Sequence, residues 1–295
     1  ARTLDEVETV RVSRARGRSL ARPLEARWSI PTAPVSIMDG YAVRARDTEA
    51  ATETNPVTLT LAESWEDIPA GTRPAQAVNT GHALPAWANA VVMIEHTQQV
   101  ETTEGGPGIA IRASLPPWHH VRPLGEDMVA TELVLPANHK LRPVDLGALA
   151  GSGHATVDVY RRPRVAVIPT GSELVAAETA VQQPLQPGQI IEYNSMVLAA
   201  QVADWGGLPT RWPVVPDQFA AIRDAVLAAA ADHDLVLLNA GSSAGSEDYT
   251  AHVVKEVGHL LVHGVAVRPG HPVVMGMVDP QVENGAPTPI IGVPG

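Results

Sequence analysis

Leu235-Val-Leu-Leu-Asn-Ala-Gly-Ser-Ser-Ala-Gly-Ser-Glu-Asp-Tyr-Thr250 decides how the chain is read. Its first four residues form an apolar run of the kind seen in a buried parallel strand. A helical pattern follows from Tyr249 to Val257. Between them lies a loop of small residues. Strand, small-residue loop and helix together aim bare backbone N–H groups at an anion. Gly241 and Gly245 allow the backbone to approach closely, and Ser242 and Ser243 add hydroxyl donors. Asp248 stands at the rim, where a carboxylate can hold a metal against a phosphate. The same spacing also describes a tight strand-to-helix turn with a serine cap, so the loop alone leaves both readings open.

Working outward, the chain after Arg164 alternates between β and α patterns. Val165-Ala-Val-Ile168 reads as a strand, with Thr170-Gly-Ser-Glu173 as the loop at its end. Asn194 is expected to cap a helix running to about Trp205, stopped by Gly206-Gly207. Thr210 to Val215 reads as extended, and Asp217 is expected to cap an Ala-rich helix to about Asp232. Leu260 to Val267, Val273 to Met277 and Ile290 to Val293 are further extended runs. Ala176 to Pro187 reads as a flexible loop. Repeated βαβ units imply a mainly parallel sheet covered on both faces. Ligands bind such sheets at the carboxyl ends of the strands, here Thr170–Glu173, Pro216–Asp217 and Gly241–Asp248.

Upstream, from about Asp47 to Leu133, the pattern is β with turns. Val57-Thr-Leu-Thr-Leu61 alternates, and Ala90-Val-Val-Met-Ile94 is a short buried-type run. Asp39-Gly40 is a turn signal before a strand at Tyr41-Ala-Val43. His119 and His120 are adjacent; neighbours on a strand face opposite ways, so the pair is expected to pack or lie at the surface rather than chelate. Pro143 suits the first turn of a helix and Gly151 its end. Arg161-Arg-Pro163 marks a boundary.

The length of 295 residues allows two domains or three small ones, and a hydrophobic fraction of 45% is ample for their cores. Cysteine is absent, which excludes disulfides, thiolate metal sites and cysteine nucleophiles. A net charge of −11 argues against non-specific nucleic-acid binding. No apolar run approaches the roughly 20 residues of a membrane span, and no signal-like leader opens the chain. The expectation is a soluble, cytoplasmic protein with neither a nucleic-acid nor a membrane partner.

With these residues assembled, the chain resembles the MoeA family, to which the gephyrin E domain also belongs. The landmarks run in family order: Ser36-Ile-Met-Asp-Gly-Tyr-Ala42, Thr80-Gly-His-Ala-Leu-Pro85, Gly125-Glu-Asp127, Leu141-Arg-Pro143, Thr170-Gly-Ser-Glu-Leu174, Tyr193-Asn-Ser195, Gly241 to Tyr249, Arg268-Pro-Gly-His-Pro272 and Gly292-Val-Pro-Gly295. The resemblance implies a multi-domain, elongated α/β protein. It would have a linker domain from residues 1–46 and 131–162 and an inserted β-rich domain over 47–130. A MogA/MoaB-like, mainly parallel molybdopterin-binding domain would span 163–295. The family's further C-terminal β-domain would be absent from this chain. It implies a homodimer, with the active site between the α/β domain of one subunit and the linker and β-rich domains of the other.

The implied function is that of a molybdopterin molybdotransferase. Molybdenum from molybdate enters adenylylated molybdopterin with release of AMP, in a reaction dependent on Mg²⁺. By resemblance, Asp39, Thr80, Asp127, Glu173, Asp217 and Asp248 are catalytic. Asp39, Asp127 and Asp248 would be the metal ligands, and Thr80 a donor to an oxyanion. Gly241, Ser242, Ser243, Gly245, Asn194, Arg268, His271 and Pro294 would bind the cofactor precursor. Three positions depart from the family pattern. His271 stands where a lysine is usual, Ser246 where an acidic residue is usual, and Glu192 where an aspartate is usual. These departures keep a second reading open, a non-catalytic paralogue that binds molybdopterin or molybdate in a sensing or regulatory role.

Overall fold

The computed structural model describes residues 4–66, 68–240, 249–266, 272–282 and 285–294. The chain divides into two compact units, Ala1–Glu8 with Asp158–Gly295, and Thr9–Val157. Among the described residues no helix is long and apolar enough to cross a membrane.

The first unit is built on a six-stranded sheet in the order Leu208–Arg211, Arg164–Thr170, Leu235–Ala240, Thr288–Pro294, Val274–Val278, Gly258–His263. The first four strands are parallel to one another. The last two turn antiparallel. The reason is connection length. A parallel pair needs a crossover of about a dozen residues or more, usually helical, and the links from His263 to Val274 and from Val278 to Thr288 are too short to hold one.

The central strands are apolar almost throughout because both faces are covered. Ala166, Ile168, Val236 and Leu238 pack with Ile222 and Val226 of one helix and Val253 and Val254 of another. Val165, Val167 and Leu237 point the other way, onto Val202. The alternation is that of a pleated strand buried on both sides. Among the described residues the α-helices are α1 (Pro143–Gly151), α2 (Ala177–Gln182), α3 (Asn194–Asp204), α4 (Phe219–Asp232) and α5 (Tyr249–Val257).

Several expected details are moved. Helix α2 lies inside the stretch read as a loop, between strands Leu174–Ala176 and Ile190–Glu192 that pair in parallel. Asn194 does not cap α3 but is its first residue. The residue before it, Tyr193, makes no side-chain cap. Glu192 takes that role from further upstream, its carboxylate accepting the Ser195 N–H at 2.7 Å and the Ser195 hydroxyl at 2.7 Å. Likewise α4 starts after Gln218, and the Asp217 N–H is bonded to the Ser172 hydroxyl instead. The strand expected at Thr210–Val215 runs over Leu208–Arg211, with only a single bridge from Val215 to Thr170.

Arg161, read as part of a boundary, is a clamp. Its guanidinium bonds Glu6 and Asp234, each at 2.6 Å, and Asp234 also accepts the Arg164 N–H at 2.7 Å. The entries of two neighbouring parallel strands are thereby tied to one carboxylate.

The second unit holds a six-stranded sheet in the order Ala90–Met93, Gly40–Val43, Pro74–Val78, Val57–Leu61, Pro107–Ile111, Thr97–Glu101. It is antiparallel except where Val57–Leu61 meets Pro74–Val78. The Gly40–Val43 strand, N-terminal to residue 47, belongs to this sheet. Tyr41, Val43, Leu59, Val92, Ile109 and Ile111 form the core on one face, and Ala42, Val78, Val91 and Val121 pack on the other.

Gly40 opens its strand rather than forming a turn. A β-carbon there would stand 2.0 Å from the carbonyl oxygen of Val92. Glycine is required because the neighbouring backbone occupies the space a side chain needs. In α1 the constraint is electrostatic. Asp145, buried in the first turn, accepts the Arg142 N–H at 2.7 Å, its guanidinium at 2.9 Å and His139 Nε2 at 2.7 Å. Arg142 in particular holds its carboxyl far below the usual carboxylate range.

Gly40→Ala is expected to lower the stability of this unit by roughly 1–3 kcal/mol, the usual cost of forcing a methyl group into a filled space. Gly147→Ala, in the middle of α1 where a β-carbon meets nothing within 4 Å, is expected to raise it by roughly 0.5–1 kcal/mol. Chemical denaturation of both variants beside the parent checks the pair.

Candidate functional site

In the second unit the candidate residues hang from one extended segment, residues 35–39. Val35–Ser36 pairs with Val121–Arg122. On the same segment, the Ser36 N–H donates to the His82 carbonyl at 2.9 Å, and the Gly81 N–H returns to Ser36 at 2.8 Å. The Ile37 N–H reaches the His120 carbonyl at 3.0 Å. The turn at residues 79–83 and the strand at 121–122 are thus stitched to the same few residues.

Asp39 leaves this segment just before the Gly40–Val43 strand. Its Oδ1 accepts two hydrogen bonds, from the Thr80 N–H at 2.7 Å and from the Thr80 hydroxyl at 3.0 Å. These two donors, the backbone one first, hold its carboxyl below the usual carboxylate value, with a further contribution from nearby His82. The carboxylate is solvent-exposed and ionised at neutral pH. The Thr80 hydroxyl lies 3.0 Å from Asp39 Oδ1 and 3.4 Å from the Ile37 carbonyl oxygen, so with its N–H Thr80 is a group that holds Asp39.

Asp127 is fixed differently. Arg122 Nη2 donates to it at 2.6 Å while Nε of the same guanidinium is taken by Glu126. The Asp127 N–H bonds the Ile30 carbonyl at 2.9 Å. Arg122 was not singled out from the sequence. The signal available was an arginine four and five residues ahead of the two acids of Gly125-Glu-Asp127.

In the first unit the candidates lie where the parallel strands end. Thr170 closes its strand, and the Gly171 N–H donates to the Val215 carbonyl at 3.1 Å. With the Asp217 N–H on Ser172 Oγ at 3.1 Å, the loops carrying Glu173 and Asp217 run side by side. The Glu173 carboxylate folds back over Gly171, where a β-carbon would meet its two oxygens at 2.8 and 2.9 Å. Pro294 pairs with Ala240 at the carboxyl edge of the sheet. Asn194 opens α3, whose start is set by Glu192 and Ser195. Arg211 completes that cluster, its Nε donating to the Ser195 hydroxyl at 2.9 Å and its Nη2 reaching Glu192 at 3.5 Å. Glu192 and Arg211 are positioning residues that spacing alone did not reveal, since they meet from strands 19 residues apart. Gly241, Ser242, Ser243, Gly245, Asp248, Arg268 and His271 lie outside the described residues.

Among the described residues no group of three or more His, Asp or Glu side chains converges on a metal site. A Mg²⁺ site has a smaller requirement. Mg²⁺ is commonly held by one or two carboxylates, with water and substrate phosphates completing the shell. Asp39 and Asp127 are exposed oxygen donors of that type.

Residues 1–153 match the family described as MoeA N-terminal region (domain I and II), and residues 166–295 match the probable molybdopterin binding domain. The chain is 40% identical to molybdopterin molybdenumtransferase 2 of Mycobacterium tuberculosis, covering 97% of this chain and 70% of that protein. It is 34% identical to the molybdopterin molybdenumtransferase of a Nostoc species, covering 98% and 65% respectively. The chain therefore spans about two thirds of the length of these relatives. Among solved structures, a molybdopterin biosynthesis MoeA protein from Pyrococcus horikoshii superposes with a TM-score of 0.80 at 29% identity, over 99% of this chain and 70% of that one.

Thr80→Val removes one of the two donors to Asp39 and leaves the N–H. The Asp39 pKa is expected to move up toward its ordinary value, measured by an NMR pH titration of its side-chain carboxyl. In the parent the folded carboxyl sits below its unfolded value. It contributes stability at pH above about 4 that is lost as pH falls through the folded pKa, and that acid-side loss is smaller in the variant. Glu192→Ala removes the acceptor at the start of α3. It is expected to cost about 0.5–2 kcal/mol and to speed amide exchange in the first turn of α3 more than in its last.

Proposed function

Because the chain belongs to the MoeA family, we propose that it acts as a molybdopterin molybdotransferase in molybdenum cofactor biosynthesis. The substrate is adenylylated molybdopterin. Its phosphoanhydride is hydrolysed, AMP leaves, and molybdenum from molybdate remains on the dithiolene. The observation that carries this reading within the chain is the Asp39–Thr80 pair. It is an exposed carboxylate whose two hydrogen-bond donors, a backbone N–H and a hydroxyl, are both neutral, so they favour ionisation without cancelling its charge.

In this reading Asp39 and Asp127, with Asp248, bind Mg²⁺, which neutralises charge on the phosphoanhydride when bound. Arg122 orients Asp127. Glu173 and Asp217, at the carboxyl ends of the parallel strands, orient water and molybdate. Asn194, Pro294 and the Gly241–Gly245 loop, with Arg268 and His271, hold the pterin phosphate end. We also propose a cytoplasmic homodimer, in which the α/β domain of one subunit meets the linker and β-rich domains of the other. The expected domain division is 1–46 with 131–162, 47–130 and 163–295, with the Gly40–Val43 strand moved from the first of these into the β-rich sheet.

The test is AMP release from adenylylated molybdopterin by the purified protein, with Mg²⁺ and with or without molybdate. Molybdate-dependent release is expected, reduced about a hundredfold or more by Asp39→Asn. Binding of the substrate with no release of AMP would instead support the non-catalytic reading.

A further inference from the structure

The β-rich unit contains a cavity of about 400 Å³ lined by none of the candidate site residues. Its volume is in the range of small-molecule sites. The floor is apolar, formed by Val92, Ile111 and Leu115. One wall is a pair of imidazoles. His119 and His120 were expected to face apart, as neighbours on a strand do. Instead they lie in a turn where Trp118 and His120 adopt left-handed backbone angles, φ 66° and 55°. The turn brings the two rings together, with centroids 3.9 Å apart and planes tilted by 37°.

Burial, then the proximity of His120 and His96, pushes the His119 pKa below its ordinary value. His120 Nδ1 is buried with no hydrogen-bond partner among the described residues. The rim carries Glu53 and Glu95 against Arg112, whose guanidinium is already held by the Glu53 carbonyl at 3.0 Å. Two carboxylates stand against one guanidinium along the lining, which disfavours a phosphate or molybdate ion here. A flat ring suits the site better. Its face can stack on the imidazoles, its edge can rest on the aliphatic floor, and its N–H groups can donate to Glu53 and Glu95.

The cavity shares its backbone with the candidate catalytic segment. The Ile94 N–H, between lining residues Met93 and Glu95, donates to the Asp39 carbonyl at 3.1 Å, and His120 accepts from Ile37. We propose that this cavity binds an uncharged, amino-substituted fused heteroaromatic ring, the adenine or the pterin end of the substrate. The inference rests on the proposed function for the identity of the ring.

The test titrates the purified protein separately with adenine, pterin, inorganic phosphate and molybdate, following the histidine ring resonances by NMR. At least one heteroaromatic ring is expected to shift His119 and His120 saturably, and the two separate titrations tell adenine from pterin. Ala113→Trp fills the cavity from its exposed rim, and His119→Ala removes the stacking face. Each is expected to weaken binding by about tenfold or more at an unchanged melting temperature. No saturable shift with either ring, or a shift produced by phosphate or molybdate, overturns the proposal. Ring binding in a protein that releases no AMP leaves it standing while the functional reading fails. AMP release unaffected by Ala113→Trp, with neither ring bound, sinks the cavity proposal alone.

Discussion

The β-rich unit depends on one close approach, the backbone of Gly40 against the carbonyl of Val92. Only a residue without a β-carbon lets the Gly40–Val43 strand slide between Ala90–Met93 and Pro74–Val78 and bond to both. Everything around the candidate site is measured from that contact. Asp39 is the residue before the glycine, so its place at the lip of the sheet is fixed by the strand that follows. Thr80 comes from the turn after Pro74–Val78, and Ile94 from the end of Ala90–Met93. The same two neighbouring strands therefore set both the position of the carboxylate and the groups that touch it.

The protein is acidic, yet the substrates proposed for it are anions, and the local arrangement handles the charge in two ways. At Asp127 and Glu126 a single guanidinium, that of Arg122, takes up both carboxylates. At Glu192 the charge is absorbed by a helix start, a serine and Arg211. Asp39 is treated differently. Its partners are a neutral N–H and a neutral hydroxyl, which favour ionisation without cancelling the charge. Among these acids Asp39 is the one whose field remains directed outward.

The apolar runs were legible because a buried parallel strand leaves a continuous local signal. Leu235–Ala240, Arg164–Thr170 and the helix from Tyr249 to Val257 fall where the pattern put them. The helix caps were not legible. Asn194 and Asp217 have the right chemistry at nearly the right place, but Glu192 and Ser172 supply or receive the bonds, and those choices are made by tertiary packing. The two antiparallel strands at the sheet's end followed from short connections rather than from composition. The premise that His119 and His120 face apart failed because the strand rule was applied to a turn, where the two rings pack against each other. At the site, the Asp39–Thr80 bond joins residues 41 apart, a distance at which no periodicity operates. Those two residues were chosen through the family motif, and the physical link between them comes from the fold.

The placement of Gly40–Val43 in the interior of its sheet also has a kinetic consequence. A central strand cannot complete its ladder until both flanking strands exist, and here both are made later, ending at Val78 and Met93. As the chain emerges from a ribosome, the Met-Asp-Gly-Tyr-Ala segment must wait for about fifty further residues before its neighbours can close on it. Pairings of such long sequence separation form slowly, because loop-closure entropy is lost before contacts compensate for it. The segment that carries the candidate carboxylate is thus synthesised before both of its neighbouring strands and can be ordered only after them. Throughout that interval its apolar strand is open to the wrong partner.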